Sequence, residues 1–409
     1  MNTAEGVTFV IVGANLTGAT AAATLREEGF EGRIVLIGEE PLPPYERPPL
    51  SKEYLRGEQP FEDGLVRPGD WYEKNAVEAR FGARAEGVDP AERTVVLEGG
   101  ERIPFDALLL ATGGTPRRLP GPPAERVLYL RTAQDADRIR AHLLPGRHLV
   151  VVGAGFIGSE VAASARMLGV EVTVLVRSDV PLARALGPEM GRIYAEIHRE
   201  HGVDLRTGEG VEAVKEADGT VAVRTTGGAT IEGDAVVVGV GIRPNTELGA
   251  LAGITIDNGI VVDEFCRTSA EGIYAAGDVA NHYHPVFGRH IRVEHYDNAL
   301  KQGAAAARNM LGMRQVFDDP HWFWSDQYDQ NLQYAGFATE WDTTVVRGSI
   351  EERDFVAFYL KNDVVVAALG LNRGQDVRRT MRLIQHRAKP NPADLRDQAV
   401  DLRQLAAPD

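Results

Sequence analysis

The sequence predicts an α/β protein of three parts, two of them wound on parallel sheets and the third a C-terminal α+β unit. Three observations predict it. A β-branched run entering a glycine turn and then a helical stretch occurs twice, as VIVGANLTG at residues 10–18 and VVVGAGFIG at residues 150–158. Each copy leads to a second strand-like run, at residues 33–37 and 171–176, so each is a strand, helix, strand unit whose connection crosses to a parallel neighbour. Beyond about residue 320 the pattern changes to strand-like runs at 345–347, 355–360 and 364–370, followed by a polar helix over 376–386.

In chain order, the first helix is expected over residues 16–26 and the second over 156–168, with a Pro-rich stretch at 41–49 between them. Alternating runs at 93–97 and 107–111 read as strands, and TGGTP at 112–116 reads as a break. Strands follow near 221–225 and 235–240, then a second break, GIRPN, at 241–245. A short buried strand at 273–276 and an alanine-rich helix at 299–311 complete the middle of the chain. At 409 residues the chain exceeds what one hydrophobic core serves. The expected domains are 1–115 with 246–319, then 116–245, then 320–409.

Composition narrows the chemistry. A net charge of −15 disfavours a nucleic-acid binder. No apolar run spans a bilayer and no basic leader precedes the first strand, so a cytoplasmic protein without membrane contact is expected. The single cysteine, Cys266, excludes an intramolecular disulfide or a Cys-x-x-Cys redox pair, and its apolar strand context suggests a small buried hydrophobe. Ten histidines with no His-x-x-x-His spacing and no Cys/His cluster give no expectation of a metal.

The glycine spacing defines the first two parts as Rossmann-like dinucleotide-binding units. The first glycine makes the turn, the second lets a pyrophosphate approach, and the third lets helix and strand pack closely. The helix N-terminus then faces the phosphates. Gly153, Gly155 and Gly158 meet every position, with Phe156 and Ile157 opening the helix. The first copy, Gly13, Ala14, Asn15, Leu16, Thr17 and Gly18, has Asn15 in place of the middle glycine, a residue type that tolerates unusual backbone angles. Glu39, after the next strand, is placed for a ribose diol.

A third motif, TSAEGIYAAGDVA at 268–280, resembles the late FAD motif of the two-dinucleotide flavoproteins of the glutathione reductase-like superfamily. ATG at 111–113 and GVGIRPN at 239–245 look like that superfamily's crossover segments. Within it, the chain is similar to the ferredoxin reductases of oxygenase systems, of the putidaredoxin reductase type. The most specific stretches are PYERPPLSK (44–52), LRT (130–132), RVEHYDN (292–298) and WFWSDQY (322–328).

The resemblance implies that FAD lies against the first fingerprint and against Glu39, Arg47, Lys52, Ala85, Ala111, Thr112, Gly113, Arg131, Gly277, Asp278, His295, Tyr296 and Trp324. It implies that the nicotinamide nucleotide lies against Gly153 to Gly158, Glu160, Arg177, Arg184, Val240 and Gly241. The family has a larger residue at Ala85 and often tryptophan at Tyr296.

Lys52 stands where disulfide-reducing relatives carry their cysteines, as a cation beside the flavin that would stabilise its reduced anion. The plain alternative is a surface lysine. Glu160 either pairs with Lys52 or is an exposed helix glutamate, and Trp324 either relays electrons or fills a core. Val176, Arg177 and Ser178 end the second strand of the nucleotide unit without the acid that favours NADH, so the pattern leans to NADPH, the other reading being that Arg177 is a solvated loop charge and NADH is the donor.

From Arg373 to Lys389 there are six basic residues against the single acid Asp376. An acidic ferredoxin steered by Arg373, Arg378, Arg379 and Arg382 is one reading, and a solvated helix face is the other. Two further alternatives are a rubredoxin or quinone-type reductase and a nucleotide-sensing flavoprotein. Monomer and homodimer are both open.

Overall fold

The computed structural model describes residues 6–217 and 219–406; residues 1–5, 218 and 407–409, which belong to the first, second and third expected domains, lie outside the described residues. The first sheet has five parallel strands in the order Ile273–Ala275, Ala107–Leu110, Thr8–Val12, Arg33–Gly38, Val77–Phe81. Its edge strand therefore comes from sequence that follows the whole second sheet. Phe9, Ile11, Ile34, Leu36 and Leu109 fill one core face, with Ala21, Ala22 and Leu25 of the helix Leu16–Glu27 against it.

The second sheet repeats this plan, in the order Asp204–Thr207, Glu171–Val176, His148–Val152, Ala235–Val238, Val127–Tyr129, all parallel. Strands covered on both faces carry continuous apolar runs rather than alternation, and Leu149 to Val152 and Ala235 to Val238 are all buried. Tyr45, Leu50 and Leu55 belong by sequence to the first unit yet pack into the core beneath this second sheet.

The third sheet is antiparallel, in the order Trp322–Gln327, Gln330–Gly336, Val364–Leu371, Asp354–Lys361, Thr343–Ser349. Its first strand alternates in burial along WFWSDQ, as a sheet with one solvated face requires. The helix Gly374–Gln385 covers one side through Val377, Leu383 and Ile384. The other side receives Tyr194 and Ile197 of the helix Ala183–Glu200.

Three expectations are corrected. The breaks at 112–116 and 241–245 pair with each other: Gly114–Pro116 and Ile242–Pro244 form an antiparallel ribbon, register Ile242 to Pro116. Both chain crossings between the first two units thus run side by side. The alanine-rich helix starts earlier, as Tyr296–Met310, which sets His295 at its N-cap. Cys266 is buried as expected but lies in a turn at φ 62°, not in a strand.

Candidate active site

The first glycine turn is shaped by close approach. A Cβ on Gly13 (φ 117°) would stand 2.1 Å from the carbonyl oxygen of Ala111, and one on Gly18 would stand 2.0 Å from that of Gly13. Asn15 needs no unusual backbone, contrary to expectation, because its φ of −125° is ordinary extended chain. Its side chain explains it. Oδ1 accepts from the amide of Thr17 at 3.1 Å, capping the helix, and Nδ2 donates to the Ala111 carbonyl at 2.7 Å. Leu16 and Thr17 are buried in that first helical turn.

In the second turn Gly153 and Gly158 are equally crowded, while a Cβ on Gly155 would meet nothing within 4 Å. The space a side chain would take there lies open at a helix N-terminus, which is what a pyrophosphate requires. Both turns therefore fit dinucleotides. Phe156 leaves that helix to meet Phe323 of the third sheet edge to face, ring centres 4.8 Å apart, and Ile157 is exposed.

Around the first turn the scattered residues converge in part. Arg131 donates to Asp278 at 2.9 Å, and Arg47 donates to the backbone carbonyl of Arg131 and, at 2.7 Å, to Glu40. Thr112 and Asn245 exchange hydrogen bonds with each other's backbone at 2.7 and 2.9 Å, which ties the two crossings beside Gly113. Gly277, at φ 79°, turns directly against Thr17, where a Cβ would sit 2.4 Å from Oγ1. Glu39 is exposed, 4.0 Å from Arg84, and Ala85 opens the neighbouring strand Ala85–Asp89 half-buried.

Aromatic residues line the far side. Burial pushes the His295 imidazole down to about 4, so it is neutral at pH 7. Its ring lies 4.2 Å from that of Phe323. The Tyr296 hydroxyl donates to Glu46 at 2.7 Å, and burial raises its pKa. Trp324 stands edge-on to Tyr296 at 5.5 Å and stacks with Trp322 at 5.4 Å.

A buried charge knot joins the units. Lys52 Nζ donates to Glu160 Oε2 at 2.7 Å, with side chains 6% and 4% exposed. The readings of Lys52 as a surface lysine and Glu160 as an exposed helix residue are both overturned. Ser51 donates to the same carboxylate oxygen, and Ser325 donates to Oε1 at 2.7 Å. One carboxylate is thereby held by the first unit, its own helix and the third sheet, so both its oxygens are satisfied despite burial. Sequence reasoning passed over Ser51, Ser325, Glu46 and Asn245. The two serines sit inside the motifs PYERPPLSK and WFWSDQY, and only the fold brings them together.

Arg177 is exposed at the end of its strand, lying along Gly210, and Arg184 is exposed in the first turn of the helix Ala183–Glu200. Val240 is exposed beside Gly153. Gly241 follows it at φ 95°. The basic run of the third unit is less free than its composition suggests. Arg373 pairs with Asp354 at 2.6 Å, an acid outside the run, and Arg379 pairs with Asp376 at 3.0 Å. Arg378 lies over the Trp322 ring at 6.0 Å. Among the described residues no helix is long and apolar enough to cross a membrane.

Comparison with known proteins agrees with this layout. Residues 7–303 match the family described as pyridine nucleotide-disulphide oxidoreductase, and residues 322–406 match the reductase C-terminal family. The chain is 40% identical over 398 residues to the ferredoxin–NAD(+) reductase component of the anthranilate 1,2-dioxygenase system of Burkholderia cepacia, covering 97% of this chain and 98% of that one. It is 37% identical to putidaredoxin reductase of Pseudomonas putida, covering 100% and 98%. A crystal structure of the covalent putidaredoxin reductase–putidaredoxin complex superposes with a TM-score of 0.94 at 36% identity, covering 98% of this chain and 99% of that one. With two dinucleotide-type sheets, a third antiparallel unit, and Lys52 and Ser51 where no thiol pair is possible, the chain belongs to the pyridine nucleotide-disulphide oxidoreductase family, in a form that carries a reductase C-terminal domain.

Proposed function

We propose that this chain is a ferredoxin reductase, taking hydride from a nicotinamide nucleotide and passing electrons singly to a small iron-sulfur protein of an oxygenase system. The observation that carries the reading is the buried Lys52–Glu160 pair at the junction of the two dinucleotide sheets, in a chain with one inert cysteine. Relatives named as ferredoxin–NAD(+) reductases, and the neighbour solved with putidaredoxin, support the acceptor class.

Bound FAD would supply two-electron acceptance and one-electron release. Gly13 to Gly18 would receive its pyrophosphate, Glu39 its ribose, and Asp278, oriented by Arg131, its polar chain. Gly153 to Gly158 would hold the nucleotide's pyrophosphate. Lys52 places a fixed, desolvated cation where negative charge develops, and Glu160 with Ser51 and Ser325 keeps that cation in place. His295 and Trp324 keep water from the far face. The unit limits 1–115 with 246–319, 116–245 and 320–409, and a cytoplasmic site of action, belong to the same proposal.

Family membership and the relatives' names support FAD and NAD(H). The finer reading, a preference for NADPH, rests on Arg177 and Arg184, exposed where a 2′-phosphate would lie. Anaerobic stopped-flow bleaching of the flavin by NADPH and NADH in parallel tests it. Faster reduction by NADPH at low nucleotide, reversed in Arg177→Glu, is the expected result. Preference for NADH in the wild type would remove Arg177 from the site, and sluggish bleaching by both would sink the reductase reading.

For the acceptor, Arg378 over Trp322, with Trp322 stacked on Trp324 and Trp324 against Tyr296, makes a contiguous route from a basic surface toward the flavin side. We place ferredoxin docking there, with Arg378 beside Trp322 at its centre and Arg373, Arg379 and Arg382 of the same run adding to the positive field, Arg373 and Arg379 while paired with Asp354 and Asp376.

A further inference from the structure

The strand Ala280–His284 places His282 and His284 on one face, two residues apart, and the chain returns at His321, immediately before the strand Trp322–Gln327. The three imidazoles are 1%, 0% and 2% exposed. Their ring centres are 5.5 Å (282 to 284), 5.3 Å (282 to 321) and 4.9 Å (284 to 321) apart, and one nitrogen from each lies within 4.8 Å of the others. Phe317 and Phe287 close the surroundings.

Buried polar atoms normally find partners, and here a set of them does not. Both ring nitrogens of His282, Nδ1 of His284 and Nε2 of His321 have no hydrogen-bond partner. His284 is oriented by its Nε2, which donates to the Asp319 carbonyl at 3.0 Å and so leaves an Nδ1 lone pair with no hydrogen-bond partner. A ring N–H given to a backbone carbonyl is the usual support of a metal-ligating histidine.

We propose that His282, His284 and His321 form a buried site for a first-row divalent cation of the zinc type, joining the strand Ala280–His284 to the strand that carries Trp324 and Ser325. Three imidazole donors without a carboxylate disfavour magnesium and calcium and suit zinc, which keeps a fourth position for water. Zinc–nitrogen bonds of about 2.0–2.1 Å ask the three nitrogens to close to roughly 3.4 Å of each other, at most about 1.4 Å in from the present limit of 4.8 Å. A cation held there would fix His321, the residue just ahead of the strand that carries the aromatic route and the serine that holds Glu160. Sequence spacing hid it, since the third ligand lies far along the chain from an i, i+2 pair.

The test loads the full-length, flavin-bound protein with Zn2+ alone, removes excess metal by gel filtration, and measures zinc per flavin by elemental analysis. About one zinc per flavin in the wild type, falling at least fivefold in His282→Phe and in His321→Gln at unchanged flavin content, is the expected result. No zinc in the wild type, or equal zinc in the variants, overturns the site. Should the variants lose flavin, X-ray absorption on the loaded wild type decides: a first shell with three nitrogens at histidine distance supports the site, and an all-oxygen shell overturns it.

Discussion

Lys52 and Glu160 illustrate how much a single contact carries. Neither is solvated, so each is tolerable only because the other is 2.7 Å away. Lys52→Met leaves the carboxylate without its cation and should cost roughly 3–5 kcal/mol in thermal unfolding. It should also slow nucleotide-driven flavin bleaching by about a hundredfold. The double variant Lys52→Met with Glu160→Gln should recover most of the stability and none of the rate. Recovery of both would assign the pair a purely structural role. Gly277→Ala forces a Cβ to 2.4 Å from Thr17 Oγ1 at φ 79°, and purified protein should show a clear drop in flavin per chain. At this scale the sequence was informative about residue type and offered the Lys52–Glu160 pairing as one of two readings, which the structure bears out. Lys52 could be singled out by position, but Ser51 and Ser325 acquire meaning only when their strands meet over Glu160.

Among elements, those read best have long apolar runs or strict glycine spacing, since burial on both faces leaves little freedom in placing such strands. The misread ones are short. Gly114–Pro116 and Ile242–Pro244 have three residues each, rich in Gly and Pro, and no periodicity distinguishes a three-residue ribbon from two loops. Asn15 was judged by backbone when its side chain mattered. Because it caps the helix Leu16–Glu27, Asn15→Ala should lose about 1 kcal/mol in urea denaturation and Asn15→Gly only a few tenths. An unchanged midpoint in the alanine variant would deny the cap. On the strand Trp322–Gln327, Trp324→Phe should leave bleaching by nucleotide within twofold while slowing ferredoxin-driven reoxidation by roughly an order of magnitude. Equal slowing of both half-reactions would return Trp324 to a packing role.

For the molecule as a whole, three sheets and their order along the chain were legible, because repeated units and a change of periodicity are long-range signals. Apart from Lys52 with Glu160, the tertiary pairing of charges was not. Asp354 neutralises Arg373 from a neighbouring strand, so a count of charges along the helix overstated the basic surface. Packing between units also sets an acid limit. His198, wedged beneath the third sheet with Nδ1 3.0 Å from the Tyr328 hydroxyl and with His201 nearby, is pushed down to about 4, first by burial. The unfolded chain binds that proton near 6.5, so stability is full above this pH and declines as pH falls toward 4. The melting temperature should drop across that window in the wild type and drop less in His198→Gln.

The paired crossings give the middle unit an unusual mounting. Because the outgoing and returning chains are hydrogen-bonded at Gly114–Pro116 and Ile242–Pro244, it is mounted on one double strap, so a single proteolytic nick in either strap should leave it attached, held by the other strap and by the cores it shares with its neighbours. The buried ion pair is a second, non-covalent fastening of the same unit, so whatever loosens Lys52 from Glu160 should quicken cleavage at the straps without detaching what they hold.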